Sequence, residues 1–301
     1  MKRIIFLLSF AALWQVGAAW AQLAPANELG LSFGHLHLSS PDREKDAKAW
    51  LTLGGQLENN LSGNIPIGFP GIVILLRQGE IKGGSEGTVV DHVAFRVRDL
   101  EASTTKWKGV ETWWKAGNWG LKVAPGTRPG QVFVFTPAQV KIEILEDKTL
   151  KAPIVFDHAH FYVDESRLKE VEDYYARMFG AKPVKGEPDT LGMPGGKLVF
   201  TKSATPRELN GGRALDHIGF NMLNAEALAA FFKTMEAKGG KFQRPYEGSS
   251  MGMIRALDPL GSIVEITKAQ GGYFDPKLLD ASFYKVDEGR RNKGETPTRP
   301  R

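Results

Sequence analysis

Four segments of the chain repeat one pattern of apolar and polar positions. Each segment opens with a short apolar run around a histidine, and such a run is typical of a β-strand. Behind each run, apolar residues recur at intervals of three, four and seven, which places them on one face of a helix. Glycine-rich turns and further apolar runs follow. The pattern predicts four consecutive β-α-β-β-β units of about 45 to 55 residues. They open around His35, His92, His158 and His217.

The units repeat in pairs at a nearly constant spacing. The separation is 123 residues from His35 to His158, 125 from His92 to His217, and 122 from Glu143 to Glu265. We therefore expect an α+β fold in which four units pair into two half-open barrels. Pairing of consecutive units would give a first domain at residues 30–147 and a second domain at residues 153–270.

The closing strand of each half carries one glutamate between aliphatic residues, as in Ile142-Glu143-Ile144. Side chains alternate across a strand, so the aliphatic residues face the helices and the glutamate faces the other side of the sheet. Histidines of the opening strands can meet it there. Two imidazoles and one carboxylate on one face are a donor set for a divalent metal with open positions.

This reasoning predicts two groups of metal ligands. The main site consists of His158, His217 and Glu265, and a second candidate site consists of His35, His92 and Glu143. A single histidine or glutamate on a strand is more often a core or surface residue, and only the repetition in both halves favours a metal.

Two H-x-H pairs leave a choice of ligand. His35 and His37 share one face of a strand, and so do His158 and His160. The repeat favours His158 as the ligand, which leaves His160 as a candidate for proton transfer or for orienting a ligand.

Composition excludes several kinds of chemistry. The chain has no cysteine, so disulfides, thiolate metal sites, iron–sulfur clusters and a cysteine nucleophile are excluded. The net charge is +5, but seven of the basic residues lie near the two ends of the chain. The middle of the chain is nearly balanced and shows no basic stripe of the kind that binds nucleic acid.

The two ends of the chain differ from the repeat. Lys2 and Arg3 precede an apolar run that ends in Ala19-Trp20-Ala21, which predicts a secretory signal peptide over residues 1–21, cleaved after Ala21. An uncleaved membrane anchor is the alternative. We expect a periplasmic or secreted protein without a membrane span after cleavage, and a basic, disordered tail over residues 271–301.

These motifs resemble those of the vicinal oxygen chelate superfamily. The resemblance covers about residues 31 to 270, and it depends on the Asp-His-aliphatic openings and the Asp-Pro-x-Gly-x-x-x-Glu closing at residues 258–265. It implies paired units that form a half-open barrel around a metal, which binds two adjacent oxygens of a small-molecule substrate. It also implies that the histidines and glutamates named above are the metal ligands.

Within this superfamily, two histidines and one glutamate over four units are most similar to the extradiol ring-cleaving dioxygenases. That resemblance implies Fe(II) or Mn(II), with Zn(II) or Ni(II) for a related lyase or isomerase, and a homo-oligomer is a further candidate. His160 and Tyr246 are candidates for its acid–base groups by position only. Glyoxalase-type enzymes usually use a fourth ligand, but the aligned residues Ile74 and Val199 are apolar.

The alternative function is non-catalytic binding, as in the drug-sequestering resistance proteins of the same superfamily. An aromatic pocket would then line the cleft of the first half. Its candidate residues are Trp107, Trp113, Trp114 and Trp119.

Overall fold

A computed structural model of the protein describes residues 24–58, 63–113, 121–244, 246 and 252–268. The four predicted β-α-β-β-β units are all present. The first consists of β1 (Leu31–Ser40), α1 (Arg43–Leu53), β2 (Gln56–Leu57), β3 (Ile65–Phe69) and β4 (Ile72–Gln78). The second consists of β5 (Val90–Val97), α2 (Leu100–Trp113), β6 (Lys122–Pro125), β7 (Gln131–Phe135) and β8 (Lys141–Glu146).

The other two units repeat this order. The third consists of β9 (Ile154–Asp164), a 3-10 turn (Glu165–Arg167), α3 (Leu168–Phe179), β10 (Lys182–Pro183), β11 (Thr190–Met193) and β12 (Gly196–Ser203). The fourth consists of β13 (Leu215–Met222), α4 (Ala225–Ala237), β14 (Lys241–Phe242), β15 (Met253–Leu257) and β16 (Ile263–Lys268).

The sixteen strands form two mixed sheets of eight. One has the order β14-β15-β16-β13-β1-β4-β3-β2, and the other has the order β10-β11-β12-β9-β5-β8-β7-β6. In each sheet two opening strands lie side by side and antiparallel, β1 against β13 and β5 against β9. Each closing strand runs parallel to the opening strand of its own unit. The predicted α+β fold of paired units is therefore confirmed.

The prediction of which units pair is wrong. The first unit shares a sheet with the fourth, and the second shares a sheet with the third, so the expected domains at residues 30–147 and 153–270 do not correspond to the sheets. All four opening strands carry the same apolar pattern, so the pattern does not specify a partner. The partner is set by contacts between strands far apart in the chain, β1 with β13 and β5 with β9. Buried Asn210 hydrogen-bonds the backbone of both Val90 and Leu215, and so links β5 of one sheet to β13 of the other.

The two sheets share one hydrophobic core. Phe33 and Phe69 of the first sheet meet Phe95 and Phe156 of the second, with ring centroids 4.8 Å apart for Phe69 and Phe95 and 5.0 Å apart for Phe33 and Phe156. Trp50 of α1 is fully buried beside this group. Burial of these rings makes the four units one cooperative structure and leaves the opposite face of each sheet free for polar residues.

Candidate metal centres

Each sheet carries one cluster of metal-ligating side chains. Within each cluster, one nitrogen or oxygen of every member lies within 4.8 Å of those of the others. Centre one consists of His35, His37, His217 and Glu265, and centre two consists of His92, Glu143, His158 and His160. Together they contain all six histidines of the chain.

The structure groups the predicted ligands differently from the sequence analysis. His158 joins His92 and Glu143 in centre two, and His35 joins His217 and Glu265 in centre one. The predicted sets assumed that neighbouring units pair, whereas the sheets join the first unit to the fourth and the second to the third. Every predicted ligand nevertheless lies in a centre, and each centre receives two of the predicted histidines and one glutamate.

Strand register brings the ligands of centre one together. His37 of β1 lies opposite His217 of β13, and Glu265 of β16 lies beside Gly219 of β13. Gly219 leaves room for the His35 ring. A Cβ atom at this position would lie 2.1 Å from that imidazole. In centre two, Ala94 occupies the corresponding place between Glu143 and His158.

Three of the ligand histidines are oriented by the aspartate that precedes them. The Nδ1 atom lies 2.8 Å from the carboxylate of Asp91 in His92, 2.7 Å from that of Asp157 in His158, and 2.6 Å from that of Asp216 in His217. A carboxylate only accepts, so Nδ1 donates its proton and Nε2 keeps a free lone pair. The recurring Asp-His motif therefore fixes which nitrogen faces the centre.

The two glutamates lie against those Nε2 atoms. Glu265 is 3.2 Å from His217 Nε2 and 3.4 Å from His35 Nε2, and Glu143 is 3.3 Å from His158 Nε2 and 3.6 Å from His92 Nε2. Burial alone would raise the pKa of each glutamate, but the neighbouring imidazoles outweigh it and hold both pKa values well below the usual range. Both carboxylates are therefore ionised.

The remaining histidines, His37 and His160, are neutral. Burial, followed by repulsion from the neighbouring imidazole, lowers the pKa of each to about 3. By contrast, burial would lower the pKa of His158 and His217, but the neighbouring aspartate and glutamate carboxylates raise it. Each centre therefore places an uncharged imidazole next to an ionised glutamate.

The residues fit a divalent metal. Two ligand atoms bound to one ion at about 2.1 Å lie about 3.0 to 3.4 Å apart when the angle at the metal is between 90° and 110°. The separations of 3.2, 3.3 and 3.4 Å between Nε2 and a glutamate oxygen lie within that range, and the separation of 3.6 Å lies just above it. In addition, His35 Nε2, His217 Nε2 and both ring nitrogens of His37 are buried without a hydrogen-bond partner among the described residues. Such atoms need a partner, and a metal or its ligand supplies one.

The fourth corner of each centre is not occupied by a carboxylate. Each glutamate lies in register with the residue two positions after a ligand histidine, Gly219 after His217 and Ala94 after His92. The equivalent positions on the other two closing strands are Leu75 of β4, beside His37, and Val199 of β12, beside His160, and neither side chain can bind a metal. Val199 is the residue aligned from the sequence, whereas the aligned Ile74 lies one position away, beside Leu36 in the main core. Each centre therefore holds one carboxylate and three histidines among the described residues.

Several groups near the centres had no predicted role. His160 Nε2 lies 2.9 Å from the Thr201 hydroxyl, and the Gln131 amide donates to Glu143. Arg255 Nε lies 3.2 Å from a Glu265 oxygen. His37 belongs to centre one, as its H-x-H spacing from His35 allows. Gln131 and Arg255 belong to no short motif, and the sequence signal for Arg255 is its place opposite Glu265 in the β15–β16 hairpin.

Two predicted aromatic roles are not supported by the structure. Tyr246 packs on Phe232 of α4, with ring centroids 5.0 Å apart, so its described contact is with the helix. Trp107 of α2 is buried in the core and lines no cleft. Trp114 and Trp119 lie outside the described residues, as do residues 1–21 and 271–301, and the Trp113 side chain is not described.

Among the described residues, no helix has the length and apolar character needed to span a membrane. The predicted signal peptide lies outside this part of the chain and stays a prediction.

Comparisons with known proteins agree with the fold and with the sequence resemblance. Residues 155–266 match the model of the Glyoxalase/Bleomycin resistance protein/Dioxygenase superfamily. A comparison with curated proteins gives no match.

Two solved structures illustrate the likeness. Glyoxalase I from Zea mays is 16% identical, with 79% of this chain and 92% of that chain covered and a TM-score of 0.57. A putative dioxygenase from Bacillus subtilis subsp. subtilis str. 168 is 15% identical, with 93% and 99% covered and a TM-score of 0.56. At these identities the likeness concerns the fold alone.

Proposed function

Because residues 155–266 match the glyoxalase, bleomycin resistance and dioxygenase superfamily, also called the vicinal oxygen chelate superfamily, we propose that the chain is a divalent-metal enzyme of that superfamily. Its substrate is a small molecule that presents two adjacent oxygen atoms. The observation that carries this proposal is the pair of buried clusters, each with histidines and one ionised glutamate whose ligand atoms converge. Neither cluster is explained by packing, because each holds a desolvated charge, and centre one also holds ring nitrogens without a hydrogen-bond partner among the described residues.

The proposed ligands are His35, His217 and Glu265 in centre one, and His92, His158 and Glu143 in centre two. A set of two histidines and one carboxylate leaves open coordination positions and suits Fe(II) or Mn(II), while Zn(II) and Ni(II) also accept imidazole. When bound, the metal supplies Lewis acidity to the two substrate oxygens.

The residues around the ligands have distinct tasks. The aspartates hold the histidine rings in one tautomer, and the glutamates contribute the negative charge that draws in a cation. His160 is held by Thr201 beside His158, where its ring is placed to orient a substrate oxygen at the centre. His37 occupies the same place in centre one.

Among reactions of this superfamily, we favour ring-opening oxygenation over lyase or isomerase chemistry. The support is the fourth corner, where Leu75 and Val199 stand in place of a further metal ligand. A three-ligand centre leaves room for two substrate oxygens and for dioxygen. Which of the two centres reacts is decided by the experiment below.

We also propose that the protein is exported. The support is the basic, apolar and small-residue order of residues 1–21, which is typical of a secretory signal peptide. Fractionation of cells that express the full chain, followed by mass determination, tests this. A periplasmic product that starts at Gln22 supports export, and an uncleaved cytoplasmic product contradicts it.

Metal content is the decisive test of the enzyme proposal. The chain from Gln22, purified without chelator or reconstituted anaerobically, should hold about two divalent ions. Glu143→Gln and Glu265→Gln should each remove about one ion, and the double variant should remove both. Exposed Glu101→Gln on α2 is the matched control and should change nothing.

Catechols under oxygen are then tested with the loaded protein and with each single variant. Ring-opened product that disappears with one glutamate identifies the reacting centre. Metal-free wild-type protein after anaerobic reconstitution would contradict the enzyme proposal and would favour the binding alternative. Bound zinc or nickel without oxygen consumption would favour a lyase or isomerase.

A further inference from the structure

The two centres form a comparison inside one chain, because they share a ligand set but differ in the residue opposite the glutamate. In centre two, Arg128 also approaches Glu143, at 3.8 Å, but from a loop and with its side chain 64% exposed. The closing strand of each sheet pairs with an antiparallel strand, and the residue opposite the glutamate shares its face. That residue is Arg255 of β15 opposite Glu265, and Phe133 of β7 opposite Glu143. An arginine therefore lies in centre one at the position where a phenyl ring lies in centre two.

Arg255 reaches the ligand group directly. Its Nε atom lies 3.2 Å from Glu265 Oε2, and its side chain is 20% exposed. Glu265 is also the carboxylate that would bind the metal. A bound cation would neutralise the negative charge of Glu265 that Arg255 now contacts. The guanidinium would keep its own charge and its donors in a largely buried place, where an unpaired charge is unfavourable.

The rest of centre one is consistent with a bound anion. Arg77 of β4 is in register with Ser39 and donates to its hydroxyl, and its guanidinium lies 3.4 Å from Asp216. Val73 and Leu75 on the same face form an apolar pair that is separate from the main core. A ligand of centre one would therefore meet two guanidinium groups and a small apolar wall.

Centre two offers a different neighbour. The Phe133 ring lies edge-on to His92, with centroids 5.8 Å apart, and the Lys141 ammonium lies 4.8 Å from the Phe133 centroid. Lys141 is already paired with Glu86 and Asp91. A ligand there would meet an aromatic ring at the position where centre one presents a guanidinium.

We propose that Arg255 makes centre one selective for chelating ligands that carry an additional anionic group, such as a carboxylate. Arginine binds a carboxylate through two parallel, charge-assisted hydrogen bonds, and phenylalanine offers none. The inference rests on the proposed function, because it requires a metal that holds the two adjacent oxygens. It adds the charge of the substrate and assigns it to one centre.

The experiment compares two probes that chelate alike and differ in charge. These are 3,4-dihydroxybenzoate and its neutral amide, 3,4-dihydroxybenzamide, whose ring substituents both withdraw electrons. The zinc-loaded chain from Gln22 with Glu143→Gln retains centre one alone, and calorimetric titration gives a Kd for each probe. We expect the benzoate to bind about ten-fold or more tightly than the amide.

A swap of the two residues supplies the matched controls. Arg255→Phe in the same background should abolish the preference while bound zinc and the circular dichroism spectrum stay unchanged. Phe133→Arg, in a Glu265→Gln background that retains centre two alone, should create a preference there.

Equal binding of the two probes at centre one would overturn the inference, and so would a preference that survives Arg255→Phe. Loss of zinc on Arg255→Phe would instead assign Arg255 to holding Glu265, which also overturns it. Protein that binds no zinc at all would contradict the proposed function itself, and it is recognised before any probe is added.

Discussion

Replacing Asp216 by asparagine should weaken metal binding at centre one far more than the same change at Asp91 weakens centre two. In the described part of the chain, Asp216 is the only aspartate that orients a histidine of centre one, since Gly34 precedes His35. Centre two has two such aspartates, Asp91 and Asp157. Loss of one of them leaves the other in place.

The size of the effect follows from the contact that is lost. The two oxygens of Asp216 accept separately from His217 Nδ1 and from the Gly212 backbone N–H, which lies 2.7 Å away, and the single side-chain oxygen of asparagine can keep one of these two hydrogen bonds. In either case, the negative charge 2.6 Å from the ring disappears. Removing such a partner typically lowers metal affinity about 10- to 100-fold, which corresponds to about 1.4 to 2.7 kcal/mol of binding free energy. By the same reasoning, centre two of the unmodified protein should bind about 10- to 100-fold more tightly than centre one.

Competition with a chromophoric chelator measures both affinities. Zinc should leave the unmodified protein in two phases, with centre one releasing first. Asp216→Asn should shift only the first phase, and Asp91→Asn should shift only the second. A single phase in the unmodified protein, or an Asp216→Asn variant with both phases unchanged, would refute the role given to these aspartates.

Three further outcomes follow from single residues. Gly219→Ala should displace the His35 ring, because the new Cβ atom would lie 2.1 Å from that ring. Centre one should then lose its metal while centre two keeps its own. Elemental analysis that still finds both ions would contradict this. Burial raises the pKa of Asp258 to about 6. Between pH 4 and 6 the folded state therefore holds a proton that the unfolded state releases. Over that range the free energy of unfolding should fall by about 3 kcal/mol as the pH rises. Denaturant titrations of Asp258→Asn should lack that fall, and an unchanged pH profile would argue against the shift. Phe95→Ala should cost about 3 to 5 kcal/mol and keep one calorimetric transition, because Phe95 is fully buried between the two sheets; two separate transitions would contradict a shared core.

Local features of the fold were predictable because they depend on neighbouring residues. The repeat of four units follows from apolar spacing, and two helix starts follow from capping residues. The Asp42 side chain accepts from the Lys45 backbone N–H at 3.0 Å, and the Asn224 side chain accepts from that of Ala227 at 2.8 Å. Placing each glutamate opposite the helix face required only the alternation of side chains along a strand.

The pairing of units was not predictable from the same pattern. Four equivalent opening strands allow several pairings, and the choice depends on long-range strand contacts such as that of His37 with His217. The irregular first unit has a physical cause that only the structure reveals. A Cβ atom at Gly34 would lie 2.2 Å from the Asn221 side chain, so an aspartate before His35 would require that side chain to move.

The position of Arg255 could have been found from the sequence, but that of Tyr246 could not. A hairpin turn at Asp258–Gly261 pairs residues at equal distances from its centre, and this places Arg255 opposite Glu265. Tyr246 precedes that strand, and position alone could not show that its ring packs on Phe232 of α4.

The crossed pairing of the units sets the order in which the two centres can be completed. The ligands of centre two, from His92 to His160, span 68 residues, whereas those of centre one, from His35 to Glu265, span 230. A growing chain can therefore close centre two while its fourth unit is still unmade. Centre one cannot form until β16 has been made. Closing the long loop between His35 and Glu265 is also slow and entropically unfavourable. A metal in centre one would thus mark a chain that has been made through β16, and truncation after the third unit would leave a product that can assemble one centre and never the other.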